Sequence, residues 1–523
     1  MHIRTLPAWW IVFGLVAGAS RLAAADAVVG AGTPASCTEA ALDAALLAVT
    51  TGGGTLTFSC GPAPHTILVA GEKLVFGEVT LDGGGRITLS GGLGTRILHV
   101  LSGSVVFAEG IVFTRGFSGA GPGGAIFVDG TGAVGDTRLS LHASTVRDSL
   151  SGAWGGGIAA ANATLSLVAS AVSGNEAAGG GGGINLNGGL LQLVGSEIAG
   201  NRSGGDGGGV EFWTGELYVE DSSIVHNVAE NLSDTTVGGG LSLRGLFPAT
   251  VSRSRISDNR SEFAGGGLNA AFGSSVTLTE TELFDNQAVA GVGGGLRVAA
   301  DAELEATATT LAGNRAVQGG GIDSAGALVV SNATISANIA TGGVGGGISS
   351  DGDLRLTHVT VAGNLATLGG GLWSGGTGGS STEIKNVLFS GNSASTGSDS
   401  CHFDQAPNLL QFSLWPDASC GTATTSGNRP NTTVTLPPLA FHCALSPGQE
   451  VTRTHVLPPG SLAEDLGSCV LPQFGIDQRQ VARPQGAGCD IGAVEALPEP
   501  SCNGLFRDGF EAATAYRWSA AIP

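Results

Sequence analysis

The chain reads as an all-β protein: a right-handed parallel β-helix solenoid with a short N-terminal capping helix and an irregular, disulfide-bearing C-terminal cap. Three observations predict this. Asn175, Asn201, Asn227, Asn259, Asn286, Asn314, Asn338, Asn364 and Asn392 recur at a mean spacing of about 27 residues, and self-similarity at a fixed period of that size marks a solenoid. An apolar residue stands three places before each of them: Val172, Ile198, Ile224, Ile256, Leu283, Leu311, Ile335, Val361 and Phe389. Glycine runs closed by an aliphatic residue alternate with them, as in Gly207-Gly208-Gly209-Val210 and Gly293-Gly294-Gly295-Leu296.

Between a glycine run and the next Asn lie short alternating runs such as Ile184-Asn185-Leu186 and Leu190-Leu191-Gln192-Leu193-Val194. They read as strands, and no stretch of the repeat sustains a helical period. Stacked coils place the apolar residues in one interior ladder with a rise of about 4.8 Å per coil. Strand alternation points the preceding column outward, through Glu197, Ser223, Arg255, Glu282, Thr310, Thr334 and Thr360. The Asn residues are expected to tolerate left-handed backbone and to bond along the axis through their amides. The glycines supply a tight corner. A phosphate-cradling loop is excluded, because no glycine run is followed by Lys and Ser or Thr. Twelve to fourteen such coils would make a rod of about 55–70 Å.

Residues 1–25 read as a secretory signal, with Arg4 before an apolar stretch from Ala8 to Ala17 and small residues Ala23-Ala24-Ala25 before Asp26. The apolar stretch is short for a membrane anchor. The formal net charge of −20, with Lys73 and Lys385 the only lysines, argues against nucleic acid and anionic membranes as partners. Residues 26–122 form the cap and first coils. Thr38 to Val49 is an Ala- and Leu-rich helix candidate stopped by Gly52-Gly53-Gly54, and Thr55-Leu56-Thr57-Phe58 is a strand. A Cys37–Cys60 disulfide would fasten the two. The strand-like runs that follow resemble the opening coils of secreted pectate-lyase-like β-helix proteins.

Residues 123–399 hold the repeats. Phe389-Ser390-Gly391-Asn392 and Gly123-Gly124-Ala125-Ile126 resemble the paired repeat motifs of the chlamydial polymorphic outer membrane proteins. That resemblance implies a β-helix displayed on a cell surface, often adhesive. The membrane β-barrel of that family has no counterpart here. The largest insertion runs through Ala229-Glu230-Asn231-Leu232-Ser233-Asp234, near Asp206, Glu211, Glu216, Glu220 and Asp221. These carboxylates are compatible with Ca²⁺ or sugar binding, or with a solvated acidic face, and no EF-hand or nonapeptide spacing accompanies them.

Residues 400–496 are richer in proline and cysteine. Asp477-Gln478-Arg479, Ala482-Arg483-Pro484-Gln485-Gly486 and Cys489-Asp490-Ile491-Gly492-Ala493-Val494-Glu495 resemble the C-terminal segment of bacterial "choice-of-anchor Q" proteins. There such a segment follows a β-helix and precedes interchangeable anchoring tails. Leu462-Ala463-Glu464-Asp465-Leu466 departs from that pattern. The segment is expected to form the last irregular coils and a cap. Eight cysteines allow 105 pairings; Cys401–Cys420 and Cys469–Cys489 are the expected pairs, with Cys443 and Cys502 left over. Residues 497–523, with Leu505-Phe506-Arg507-Asp508-Gly509-Phe510-Glu511 and Tyr516-Arg517-Trp518, resemble a terminal tag of exported gammaproteobacterial proteins. A packed terminal strand is the alternative.

No catalytic, cofactor-binding or metal-ligating residue is singled out, and no cofactor is expected. Polygalacturonase-like signatures, His-Glu-x-x-His and a nucleophile elbow are absent from the sequence, and Arg255 and Glu282 read as a surface ion pair one coil apart. The expected role is structural or adhesive, binding glycan or an extracellular surface without catalysis. The alternatives are a polysaccharide lyase or glycoside hydrolase, and a spacer with no ligand.

Overall fold

A computed structural model describes residues 25–132, 136–230, 236–376, 379–441, 452–469 and 475–496. Residues 1–24 of the stretch read as a signal, most of the insertion (231–235), Cys443, Cys502 and the tail from 497 onward lie outside the described residues.

The architecture is a parallel β-solenoid of about 14 turns, which at one strand spacing per turn makes a rod of about 65 Å. One coil shows the pattern. Its strands are Val210–Phe212, Glu216–Glu220, Ser223–Val225 and Val228–Ala229. Each pairs in parallel with its counterparts one coil before and after: Val210 with Ile184 and Leu241, Leu217 with Leu191 and Ala249, Ile224 with Ile198 and Ile256. The four strand positions define four faces of the rod, called A to D in that order.

The predicted interior ladder is present. Val172, Ile198, Ile224, Ile256, Leu283, Leu311, Ile335, Val361 and Phe389 are consecutive register partners and all are fully buried. Each coil thus removes apolar surface from water only by stacking on its neighbours, at about 25 cal/mol for each Å².

The Asn ladder runs along the axis as predicted. The Asn201 amide donates to Asn227 Oδ1 at 3.0 Å, Asn227 to Asn259 at 3.0 Å and Asn259 to Asn286 at 3.0 Å. Each Asn also donates to the carbonyl of the interior residue one coil back, as Asn227 does to Ile198 at 2.9 Å. The left-handed conformation falls on the residue before the Asn, not on the Asn. His226, Asp258 and Asp285 have φ of 56°, 56° and 53°, and this kink turns the amide inward. A second ladder, which the sequence reading did not include, marks the corner between faces B and C. The backbone N–H of Ser170 donates to Ser196 Oγ at 3.1 Å, Ser196 to Ser222 at 3.0 Å and Ser222 to Ser254 at 3.1 Å.

The glycine runs belong to the same device. Gly207 has φ of 65°. A Cβ on Gly208 would lie 2.3 Å from the Gly239 carbonyl oxygen, and one on Gly209 would lie 2.9 Å from the Asn227 side chain. The third glycine is therefore the seat of the ladder amide, and the two sequence motifs are two sides of one contact.

At the N-terminus a helix, Glu39–Gly52 (α1), covers the first coil. Thr38 caps it by accepting from the Ala41 N–H, and Leu42, Leu46 and Val49 are buried against the solenoid. The Cys37–Cys60 disulfide ties it to the strand Gly54–Phe58, as predicted. The Cys401–Cys420 and Cys469–Cys489 disulfides are also present.

The C-terminal segment departs from expectation. Cys401–Phe403 and Leu409–Gln411 do extend the solenoid, and Trp415 fills its end. Arg429 still pairs in parallel with Leu414 at that end, and Asn428 bonds Ser413 and Leu410, as expected of a last irregular coil; the residues after Thr432 do not lie over it. They fold back along face C as a strap. Ser390 Oγ donates to the Val434 carbonyl at 2.6 Å, Ala493 N–H donates to Thr360 Oγ1 at 2.9 Å, and Thr310 Oγ1 donates to the Arg453 carbonyl at 2.6 Å. The strap reaches as far as Glu282, whose carboxylate takes the Arg453 backbone N–H at 2.9 Å and Nε at 3.0 Å. Arg255 and Glu282 are register partners as predicted, but Glu282 is ion-paired with Arg453, which also stacks on Phe284. The segment resembling the anchor-Q pattern is the inside of this strap. Asp477 pairs with Arg479 and Glu495 with Arg483, all four side chains being buried.

Candidate functional site

Face A carries the least uniform chemistry of the rod. Its strands follow the glycine runs, and the second residue of each points outward. In register these are Ala159, Asn185, Glu211, Ser242, Asn269, Arg297, Asp323 and Ser349. The residue just before each glycine run forms a second column, through Trp154, Gly180, Asp206, Val237, Ala264, Val292 and Gln318. The glycine corner turns the two columns toward each other. Gln318 Nε2 donates to Asp323 Oδ1 at 3.1 Å and to Ser349 Oγ at 3.2 Å, and a Cβ on Gly180 would lie 2.0 Å from Glu211 Oε2. The corner is thus a groove parallel to the axis, and outward-pointing polar side chains are buried within it.

Its centre is the Glu211 coil. Glu211 is 3% exposed. Asn185 Nδ2 donates to Glu211 Oε2 at 2.8 Å. Burial and the neighbouring Asp206 carboxylate push the Glu211 carboxyl up to about 7, with Arg244 and hydrogen bonds from Trp213 and Asn185 opposing them. Burial also raises Asp206, against the pull of Arg244 at 2.6 Å and of the Val237 N–H at 3.0 Å. The Arg244 guanidinium is stacked between the rings of Trp213 (5.0 Å to the ring centre) and Phe272 (5.1 Å). Those rings are 40% and 57% exposed, and Trp154, on the opposite wall, is 54% exposed. Two buried polar atoms of this site have no hydrogen-bond partner among the described residues: Ser242 Oγ, on a residue 0% exposed, and Arg244 Nε.

The carboxylates singled out from the sequence divide. Asp206 and Glu211 meet in this groove and are not a solvated face. Glu216 accepts from the Tyr218 hydroxyl at 3.1 Å on face B. Glu220 and Asp221 hold Arg253 at the next corner. Among the described residues no three His, Cys, Asp or Glu side chains group as a metal-binding set. Asn185, Ser242, Arg244, Trp213 and Phe272 were missed. The available signal was the second residue after each glycine run, which is polar in coil after coil where a structural column would be uniform.

No family model, curated protein or solved structure matches the chain. The fold itself defines the class, a parallel β-helix protein with intramolecular disulfides. No helix among the described residues is long and apolar enough to cross a membrane.

Proposed function

We propose that the chain is an exported β-helical rod with a structural and adhesive role, binding glycan or another extracellular surface through its open flank without turning it over. The observation that carries this reading is the groove of face A, where exposed Trp154, Trp213 and Phe272 surround a buried polar floor. Flat aromatic rings beside directed polar groups are the usual furniture of a ligand surface. Face C is covered by the strap over the five coils from Glu282 to Ser390, whereas this stretch of face A carries exposed aromatic rings. Three disulfides suit an oxidising compartment, and the signal-like first 25 residues and the anchor-Q-like segment support export to a cell surface.

One observation favours a second reading, a glycoside hydrolase. Glu211 titrates near neutrality beside a second carboxylate, as a general acid with its partner would. A single experiment separates the two. Mature protein (residues 26–523) is passed over immobilised acidic and neutral polysaccharides, with reducing ends and unsaturated products followed with and without Ca²⁺. Retention without product supports the binding rod. Product release that depends on Glu211 establishes the hydrolase, and neither retention nor release leaves a spacer.

A further inference from the structure

We infer that the groove at Glu211 is a binding site for an uncharged pyranose unit, and that it rejects uronic acids. The inference rests on the binding reading above and names the ligand class of that same site.

Four features point to a sugar. Trp213 and Phe272 are held rigid by the Arg244 guanidinium between them and remain substantially exposed, and the C–H face of a pyranose stacks on such rings. Ser242 Oγ and Arg244 Nε are buried without partners among the described residues. A buried polar atom left unpaired costs about 1–3 kcal/mol, and a ligand bearing hydroxyl groups would relieve both, each hydroxyl serving as donor or acceptor. Asn185 and the protonated form of Glu211 add a donor-rich wall. Gly180 leaves the opposite wall without a side chain, so that nothing but backbone faces Glu211 from that side.

The charge of the site selects among sugars. Arg244 is the only cation on the face A strands of the Glu211 and Ser242 coils, and Asp206 neutralises it at 2.6 Å; Arg297, two coils beyond Ser242 in the same column, reaches Asn269 at 3.5 Å. A uronate arriving at those two strands would find their one cation already paired and would stand beside Asp206 and Glu211. Like charges brought together in a partly desolvated groove repel strongly. A neutral hexose meets no such cost. This separates the site from grooves built to hold polyuronides, which need a cation or uncommitted basic side chains.

The test uses the mature full-length chain, with Trp fluorescence titrated by neutral gluco-, manno- and galacto-oligosaccharides and by oligogalacturonate. Quenching by a neutral series and none by the uronate is expected. Trp213→Ala should weaken binding at least tenfold. Ser242→Ala removes only a buried, unpartnered hydroxyl; its melting temperature should therefore rise and not fall, while binding weakens severalfold. Oligogalacturonate binding as well as or better than the neutral series would overturn the inference. Neutral-glycan binding that survives both substitutions would remove the site but keep the adhesive rod. Failure of every glycan to bind the unsubstituted chain would remove both.

Discussion

Thr334 and Gln478 share a hydrogen bond of 2.6 Å across 144 residues of sequence. Gln478 is the lock of the strap. Its Oε1 accepts from Thr334, and its Nε2 donates to Thr310 Oγ1 and Thr452 Oγ1 at 2.8 Å each. The Thr hydroxyls pass the chain on, Thr310 to the Arg453 carbonyl and Thr452 to the Ala308 carbonyl at 3.0 Å. Every polar atom of the buried amide is satisfied, as a buried network requires.

Gln478→Ala should therefore release the strap. The substitution leaves the Thr334 hydroxyl without its acceptor in a dry interface, at about 1–3 kcal/mol, and takes a donor from Thr310 and Thr452, whose hydroxyls keep the Arg453 and Ala308 carbonyls. The solenoid depends on nearest-neighbour stacking and should keep its own stability. Hydrogen exchange should rise across residues 475–496 while the Asn ladder stays protected. Equal loss in both regions would show that strap and rod unfold as one unit.

The strap also has a pH dependence. His455 Nε2 bonds Ser336 Oγ at 2.8 Å and Nδ1 bonds the Pro437 carbonyl at 2.7 Å. His358 Nε2 bonds the Asn386 amide at 2.9 Å. Burial lowers the pKa of both from the ordinary 6.5. A folded-state pKa below the unfolded one means that the unfolded chain takes up more protons in acid. Stability contributed by neutral His358 and His455 is thus full above about pH 6.5 and falls as the pH drops below it. Limited proteolysis between residues 452 and 496 should accelerate from pH 7.5 to pH 5. A rate independent of pH would contradict this.

The rod was legible in the sequence because its forces are local and periodic. Ile224 and Ile256 stack for the same reason as Leu283 and Leu311, and repetition makes the reason visible. The strap was not legible. Thr310, Thr334 and Thr360 read correctly as outward-pointing, but what covers them lies more than a hundred residues downstream, and nothing periodic links the two. The Glu211 site was half legible. Asp206 and Glu211 stood out by charge, whereas Arg244 and Ser242 join them only through the register of coils about 30 residues apart.

Glu211 makes the rod less stable as the pH rises. Its folded carboxyl titrates near 7 against an ordinary 4.5, so between those values the folded state binds the extra proton and stability declines with increasing pH. Well above pH 7 the ionised, buried carboxylate costs roughly 3–4 kcal/mol, at about 1.4 kcal/mol per unit of pKa. Glu211→Gln keeps the shape and an acceptor for Asn185 but cannot ionise. The variant should melt higher than the unsubstituted chain at pH 8 and at the same temperature at pH 5. A difference of equal size at both pH values would place the effect in packing instead.

The Asn ladder sets the cooperativity of the rod. Asn259 Oδ1 accepts from both the Asn227 backbone N–H at 2.9 Å and the Asn227 amide at 3.0 Å, and Asn259 Nδ2 donates to the Ile224 carbonyl at 2.8 Å and to Asn286 Oδ1 at 3.0 Å. Asn259→Ala removes all four bonds in a column with no access to water, taking the partners of the Asn227 backbone N–H and amide and of the Ile224 carbonyl, while Asn286 Oδ1 keeps the backbone N–H of residue 259 at 3.1 Å. At about 1–3 kcal/mol each, the loss is larger than a single exposed hydrogen bond could produce. It should also be confined. In a one-dimensional stack a defect weakens the interface where it sits and is diluted along the axis. Amide exchange should therefore quicken in the coils between Ser223 and Ala288, while those near Val172 and Val361 keep their protection. Gly240→Ala, whose Cβ would press on the Asn259 amide at 2.9 Å and the Gly267 carbonyl at 2.7 Å, should weaken the same coils from the other side of the contact. If the double variant loses no more than the worse single one, the glycine and the asparagine act as one element, as their pairing in the repeat implies.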